Sequence, residues 1–306
     1  MQSLKHSSRH LTKPALLLTI VALLLVACEA GSTQRYSHTR AECFAADDSP
    51  TLMIDNFYGD VTIRDGEKGF IEVVASKRAA REIDLERIEV EITQSGSGLE
   101  IRTSISSDPN NVSVELKITA PADTHVDLRT GGGDVSIIGI AGRVKAITGG
   151  GDIEVWEAKG PLDVHTAGGN ITAFGADGGI HAETDGGDIE IHDAHSETTA
   201  STGGGNIQIL GADGEVQVNT GAGDIDYQGH PQGTCLFDTG RGHIKLRLPA
   251  DTNVWVELET PDGDIEVDWP IIGYETRQRV RGDIGSGNEG KIRASTGKGD
   301  IDVIRQ

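Results

Sequence analysis

Residues 148–155 read TGGGDIEV, three glycines followed by an aspartate and an alternation of apolar and acidic residues. A loop of this kind can hold a phosphate, ligate calcium or turn the chain sharply. The stretch recurs as T-x-x-G-[DNH]-[IV], with threonine at 130, 148, 166, 184, 202, 220, 239, 260 and 296. The first five intervals are 18 residues long, so the motif marks a structural repeat rather than one isolated loop.

The copies share columns of apolar residues when they are aligned on the threonine. Apolar residues stand mostly four and two places before it and five and seven places after it, with mainly polar residues between. This alternation is typical of strands with one buried face, so each repeat predicts two short strands joined by the glycine turn. An antiparallel array of hairpins is possible, but a constant period with matching columns favours stacked coils. We therefore predict an all-β protein, a single-stranded β-solenoid with coils of about 18 residues.

The two ends of the repeat array read differently from its middle. Residues 51–121 contain longer strand-like runs and one echo of the motif, NFYGDV at 56–61, which predicts degenerate coils and a β-meander cap. Such a cap is needed because an open solenoid end exposes a pairing edge. Regular repeats are expected over 122–306, with an insertion at about 269–289.

The first residues have the pattern of a secretory signal. Lys5, Arg9 and Lys13 precede an apolar run over 15–27, which ends in LVAC at Cys28. This ending resembles the lipobox of bacterial lipoproteins, which implies cleavage after residue 27 and lipidation of Cys28, with 28–50 as a tether. We expect an exported, membrane-anchored envelope lipoprotein. Glu29 favours the outer membrane in a two-membrane cell, and soluble secretion is the alternative.

Composition narrows the classes of partner. A net charge of −21 argues against binding nucleic acid, and 4% aromatic residues suit a thin core of alanine, valine and isoleucine.

Cys43 and Cys235 could form a disulfide in an oxidising compartment, although Cys235 falls in an apolar column where a packed free thiol fits equally well.

The repeated TxxGDIxV motif, with NxxGDV ahead of it, resembles the DUF4097 family over residues 51–303. Members are β-strand-repeat, adhesin-like bacterial envelope proteins that are also grouped as Toastrack domains. The resemblance implies a β-helix-like solenoid, and it implies no catalytic residues.

One acidic column is the first candidate site. It contains Asp134, Asp152, Asp188 and Asp224, with asparagine or histidine in other copies. These side chains are expected to bond the backbone of their own turn, while the glycines supply positive φ angles and close approach. The alternative is a ladder of Ca²⁺ or other divalent cations that bridge neighbouring coils.

Aromatic residues supply the other candidates. The column eight places after the threonine includes Trp156, Phe174 and His192, and it is interpreted as a core corner, with a sugar-binding track as the alternative. Trp269 and Tyr274 in the insertion are expected to be exposed and to contact a partner. The GxxxxGK match at 285–291 lacks the following Ser or Thr and a helix, so we do not interpret it as a phosphate loop.

These observations lead to one functional hypothesis and two alternatives. We expect a non-enzymatic, lipid-anchored scaffold or binding surface for protein or glycan, because short uniform turns leave no obvious cleft and no catalytic constellation stands out. The alternatives are a carbohydrate-active enzyme on a short β-helix and a cation-responsive structural module. The sequence predicts no cofactor besides the possible Ca²⁺.

Overall fold

The computed structural model describes residues 36–96, 98–106 and 111–306, so the predicted signal peptide and Cys28 lie outside the described residues. The described part is almost entirely β, with one short helix, α1 (Glu82–Leu85). The strands, in chain order, are β1 (Tyr36–Ala45), β2 (Thr51–Asn56), β3 (Val61–Gly66), β4 (Phe70–Ala79), β5 (Ile88–Ser95), β6 (Gly98–Ile105), β7 (Val112–Pro121), β8 (His125–Thr130), β9 (Val135–Ile138), β10 (Val144–Thr148), β11 (Ile153–Trp156), β12 (Leu162–Thr166), β13 (Ile171–Phe174), β14 (Ile180–Thr184), β15 (Ile189–His192), β16 (Thr198–Thr202), β17 (Ile207–Gly214), β18 (Val216–Thr220), β19 (Ile225–Pro231), β20 (Gly233–Thr239), β21 (Ile244–Leu248), β22 (Val254–Glu259), β23 (Ile265–Val267), β24 (Ile271–Glu275), β25 (Arg279–Ile284), β26 (Gly290–Thr296) and β27 (Ile301–Arg305).

Each regular coil contributes one strand to each of two facing sheets. Sheet A has 13 strands in the order β1-β4-β7-β3-β9-β11-β13-β15-β17-β19-β21-β27-β23, and sheet B has 14 in the order β24-β25-β22-β26-β20-β18-β16-β14-β12-β10-β8-β2-β6-β5. Neighbouring coils pair in parallel and in register, so that Thr148 lies beside Thr130 on one side and Thr166 on the other. The predicted β-solenoid is therefore confirmed.

The core is a thin layer between the sheets, built from the predicted apolar columns. Ile153 and Val155 of β11 are fully buried, whereas Glu154 between them is exposed, as the alternation predicts. Alanines close the core at the second turn of each coil, and Ala158, Ala176, Ala194 and Ala212 are all buried. Ile140 occupies the same position in the first regular coil and is also fully buried.

The order of coils in space differs from their order along the chain at both ends. The coil β26–β27 lies between β20–β21 and β22–β23, because β26 pairs with both β20 and β22, and β27 pairs with both β21 and β23. In the same way β2–β3 lies between β6–β7 and β8–β9. The interval of 36 residues between Thr260 and Thr296 thus includes a hairpin, after which the chain turns back and enters the position between β20 and β22.

Antiparallel strands close both ends of the solenoid. At the N-terminal end β4 pairs with β7, β1 with β4, and β5 with β6, which forms the predicted cap. Residues 36–45 therefore belong to an ordered strand, and the expectation that 28–50 is entirely a tether is wrong, because β1 continues sheet A. At the other end, the insertion forms the hairpin β24–β25, which extends sheet B beyond β22.

Candidate functional surfaces

The repeated threonines use their hydroxyl groups to join neighbouring coils. Thr148 Oγ1 donates a hydrogen bond of 2.9 Å to the carbonyl oxygen of Gly133, and it accepts one of 3.4 Å from the N–H of Gly151. The same contact to the preceding coil recurs in Thr166–Gly151, Thr184–Gly169, Thr202–Gly187, Thr220–Gly205, Thr239–Gly223, Thr296–Gly242 and Thr260–Gly299. The hydroxyl column is buried and structural.

The three glycines of the turn at 149–151 differ in their structural roles. A Cβ atom on Gly151 would lie 2.0 Å from the carbonyl oxygen of Gly133, so this position must lack a side chain. A Cβ on Gly150 would meet no heavy atom within 4 Å, and the equivalent position holds Arg241 or Lys298 in other coils. Close stacking therefore requires the third glycine. The expected positive φ is present at the equivalent Gly133, Gly242 and Gly299, but at none of the three glycines 149–151.

The acidic column forms a ladder of side-chain-to-backbone hydrogen bonds between coils. The backbone N–H of Asp152 donates a 2.9 Å hydrogen bond to Asp134 Oδ1, and Asp152 Oδ1 in turn accepts one of 2.7 Å from the N–H of Asn170. The ladder continues through Asp188, Asn206, Asp224 and His243. The expectation of a bond within one turn is wrong, because the acceptor reaches the next coil. Asn fits because its Oδ1 accepts the same bond.

No cation is needed to explain the geometry of this ladder. One oxygen of each of Asp134, Asp152, Asp188 and Asp224 already accepts a backbone N–H, which offsets part of the repulsion between stacked carboxylates. Among residues 36–96, 98–106 and 111–306, no group of three or more His, Cys, Asp or Glu side chains is arranged to hold a metal ion. A cation ladder stays a prediction.

The aromatic column lies on the outer face of sheet A, so its interpretation as a core corner is wrong. Trp156 is 37% exposed, and the alternation of β11 points it away from the buried Val155. Its ring stacks on Phe174 with centroids 4.2 Å apart, and Phe174 stacks on His192 at 4.3 Å. Both faces of Phe174 are therefore covered, so the column cannot offer a continuous row of ring faces to a sugar.

The two candidate contact residues of the insertion have different environments. Trp269 is only 7% exposed, its Nε1 lies 3.5 Å from the carbonyl oxygen of Ala250, and the guanidinium of Arg305 covers its ring. The expectation that Trp269 is exposed is wrong, because its side chain is buried as part of the hydrophobic core. Tyr274 is 58% exposed on β24.

The glycine-rich stretch at 285–291 is the turn between β25 and β26, and the chain continues as a strand rather than a helix. Lys291 does not point into a loop of backbone amides. Its Nζ lies 4.3 Å from the ring centroid of Trp255, which Arg281 also approaches at 5.4 Å. These contacts are cation–π interactions on the outer face of sheet B.

This end of sheet B carries a groove that the sequence did not reveal. The groove encloses about 370 Å³ and crosses the outer face of β18, β20, β26 and β22. Leu236 contributes an apolar patch, and Arg293 donates a 2.9 Å hydrogen bond to Glu257. Arg279, from the hairpin, bonds to Glu259 on the groove wall. The crossover supplies Arg293 to the groove, because it places β26 between β20 and β22.

The cysteines are separate free thiols, which decides between the two alternatives for this pair. Cys43 is exposed on β1, whereas Cys235 is buried in β20. Burial raises the pKa of the Cys235 thiol to about 11. Burial also raises the pKa of Tyr227, whose ring centroid lies 5.0 Å from that of Phe237.

The chain belongs to the Toastrack DUF4097 family, whose family model matches residues 51–304. No curated protein matches the sequence. Among the described residues, no helix is long and apolar enough to cross a membrane.

Several solved structures are similar to this chain at low identity. One from Parabacteroides merdae, which carries the name "putative adhesin", is 13% identical, covers 88% of this chain and 96% of its own, and has a TM-score of 0.49. One of the same name from Bacteroides fragilis is 14% identical, covers 90% and 99%, and has a TM-score of 0.41. A "putative lipid binding protein" from Parabacteroides distasonis is 14% identical, covers 88% and 96%, and has a TM-score of 0.41.

Proposed function

We propose that this protein is a non-enzymatic, lipid-anchored envelope protein whose solenoid presents a binding surface to a protein or glycan. The groove on sheet B carries the proposal. It combines an apolar patch at Leu236 with charged and amide side chains on a sheet whose coils are joined by regular hydrogen bonds. A preformed concave surface with a few polar groups is typical of binding sites.

The groove lies at the end of the solenoid remote from β1, which is the first described strand after Cys28 in the sequence. Seven residues separate Cys28 from Tyr36, the first residue of β1, and the eight Cα–Cα steps between the two allow a reach of at most about 29 Å. Sheet A has 13 strands, so at about 4.8 Å per strand it extends about 58 Å from β1 to β23. An anchor at Cys28 would hold the N-terminal cap near the membrane and present the groove away from it.

The same groove argues against the alternative of a carbohydrate-active enzyme. Of its three carboxylates, two, those of Glu257 and Glu259, are each hydrogen-bonded to an arginine, and the third belongs to Asp238. A glycosidase of the common type requires one carboxyl group that holds a proton for the leaving group and a second carboxylate at a defined distance. Paired glutamates suit recognition of polar groups better than proton transfer.

Two measurements test the proposal. Labelling with an alkyne fatty acid should mark the intact chain and should be lost in Cys28→Ser. Crosslinking in intact envelopes should capture a protein or glycan, and Arg293→Ala should reduce the capture at least several-fold.

Lys145→Ala is the matched control, because Lys145 occupies the same column of sheet B and also forms an ion pair, with Asp163 at 3.1 Å. Equal capture by both variants would reject the groove as the binding surface. Release of sugar fragments from envelope polysaccharide by the wild type, but not by Glu257→Gln, would favour the enzyme.

A further inference from the structure

The last strand of sheet B has an unpaired edge that is unusually apolar. β24 pairs with β25 on one side only, and it ends the sheet. Its side chains Ile272 and Tyr274 are 68% and 58% exposed, among the most exposed large hydrophobic residues of the described chain. An exposed, apolar edge strand offers backbone N–H and C=O groups to another strand.

The other sheet edges are less suited to pairing. β23 has three residues, and the N–H of Ile265 at its start already bonds the carbonyl oxygen of Arg277. β5 carries Glu89 and Glu91, which would bring like charges together in a self-paired strand. β1 begins eight residues after Cys28, close to the expected membrane anchor. β24 is the edge that combines apolar side chains with a position remote from that anchor.

We propose that β24 pairs antiparallel with β24 of a second copy of this chain, with Gly273 on the two-fold axis. In this register Ile272 lies opposite Tyr274 of the second copy, and the pair occurs twice. Both side chains project from the same outer face, since they pair with Asp283 and Arg281 of β25. Cross-strand pairs of an aliphatic and an aromatic residue stabilise sheets, so the edge is self-complementary.

Charge supports the same register. Behind each Ile272–Tyr274 pair lie Asp283 of one copy and Arg281 of the other, so each outer-face row runs from an acidic to a basic residue across the axis. The protein has a net charge of −21, which opposes self-association in general. Strands β24 and β25 are the exception, because Glu275 and Asp283 balance Arg279 and Arg281 and leave this edge without net charge.

The predicted interface is small, because only five residues of each chain pair. Interfaces well below about 1,200 Å² form weak complexes, so we expect dissociation in the micromolar range. The expected anchor serves only to set β1 aside, and the dimerisation of β24 itself requires neither the anchor nor the groove, so failure of either proposal leaves the other testable.

Sedimentation velocity of the chain carrying Cys28→Ser, from about 1 to about 200 µM, tests the inference. Wild-type β24 should give a monomer–dimer equilibrium. The variant Ile272→Lys/Tyr274→Lys should be monomeric throughout, because each lysine would face a lysine. Ile272→Glu/Tyr274→Glu should be monomeric for the same reason, and an equimolar mixture of the two variants should restore a dimer through Lys–Glu pairs.

Ile83→Lys is the matched control, because Ile83 is an exposed apolar residue, 55% accessible, on α1 at the other end of the chain. It should dimerise like the wild type. Thermal unfolding verifies that each variant is folded, which we expect because the altered side chains are exposed. A wild type that stays monomeric at the highest concentration, or a dimer that persists in the double-lysine variant, would overturn the proposal. Capture of a different protein by wild-type β24, without self-association, would also overturn it.

Discussion

Asp152 Oδ1 accepts a 2.7 Å hydrogen bond from the backbone N–H of Asn170, the residue one coil further along the same column. The contact explains why the column alternates between aspartate and asparagine, since both supply the same acceptor. It also means that the negative charge of this column is incidental to its structural role.

Substitutions at Asp152 test separately the hydrogen-bond acceptor at Oδ1 and the negative charge of the carboxylate. Asp152→Ala should lower the free energy of unfolding by about 1 kcal/mol, because the Asn170 N–H loses its partner. Asp152→Asn should stay close to the wild type, because its Oδ1 replaces the carboxylate oxygen. Urea unfolding followed by circular dichroism measures both, and an equal loss in the two variants would show that the charge itself is required.

Alanine at adjacent glycines should have effects of opposite sign. Gly151→Ala would place a Cβ 2.0 Å from the Gly133 carbonyl oxygen, so it should destabilise the protein by about 3 kcal/mol or more as the coils separate. Gly150→Ala meets open space and should stabilise by about 0.4–1 kcal/mol, because alanine restricts the unfolded chain. Melting temperatures measured side by side give the comparison. Similar losses in both would contradict the close-stacking argument.

The two cysteines should differ in reactivity. In a chain with Cys28→Ser, a thiol reagent such as DTNB at pH 8 should label one group, Cys43, and Cys43→Ser should abolish labelling until denaturant exposes Cys235. Rapid labelling of two thiols in the folded protein would show that the core opens around β20.

The buried thiol also predicts a pH dependence. The pKa of Cys235 is raised from 9.0 to about 11 in the folded state, so the folded state retains its proton where the unfolded state has lost it. Stability from this group is complete below pH 9 and falls as the pH rises toward 11. Cys235→Ala should reduce the slope of stability against pH in this window, measured by urea midpoints. An unchanged slope would assign the alkaline loss to other groups such as Tyr227.

Calcium should have no effect on stability if the ladder is purely structural. Melting temperatures in about 5 mM CaCl₂ and in EDTA should agree, because the ladder oxygens already accept backbone N–H groups. A calcium concentration of about 100 times Kd would add about 2.7 kcal/mol, which is easily detected. A calcium-dependent rise that disappears in Asp134→Asn/Asp152→Asn would instead support bridging cations.

The strands and the stacking follow from the sequence because like residues recur at a fixed period. The same alternation also predicts the direction in which the Trp156 side chain points. Residues 153 and 155 point inward, so Trp156 must point outward, and the strand continues through it. The interpretation of a corner failed because the chain turns after Trp156, and the buried residue at the turn is Ala158.

Other features depend on packing that no local pattern encodes. Trp269 follows the short β23 in an irregular insertion, a context typical of exposed residues, yet Arg305 and the Ala250 carbonyl cover it. The groove around Arg293 depends on β26 lying between β20 and β22. An interval of 36 residues is equally compatible with coils stacked in chain order, so the sequence could not reveal this surface.

The crossover of β26 and β27 sets a condition on how the protein is made. The coil β26–β27 lies between β20–β21 and β22–β23. Both of these coils are synthesised before residues 290–305, which occupy the position between them. The groove can therefore form only after residues 290–305 have been synthesised. Loss of these residues would leave a gap inside the stack rather than a shortened end, and it would expose unpaired strand edges on both sides of that gap.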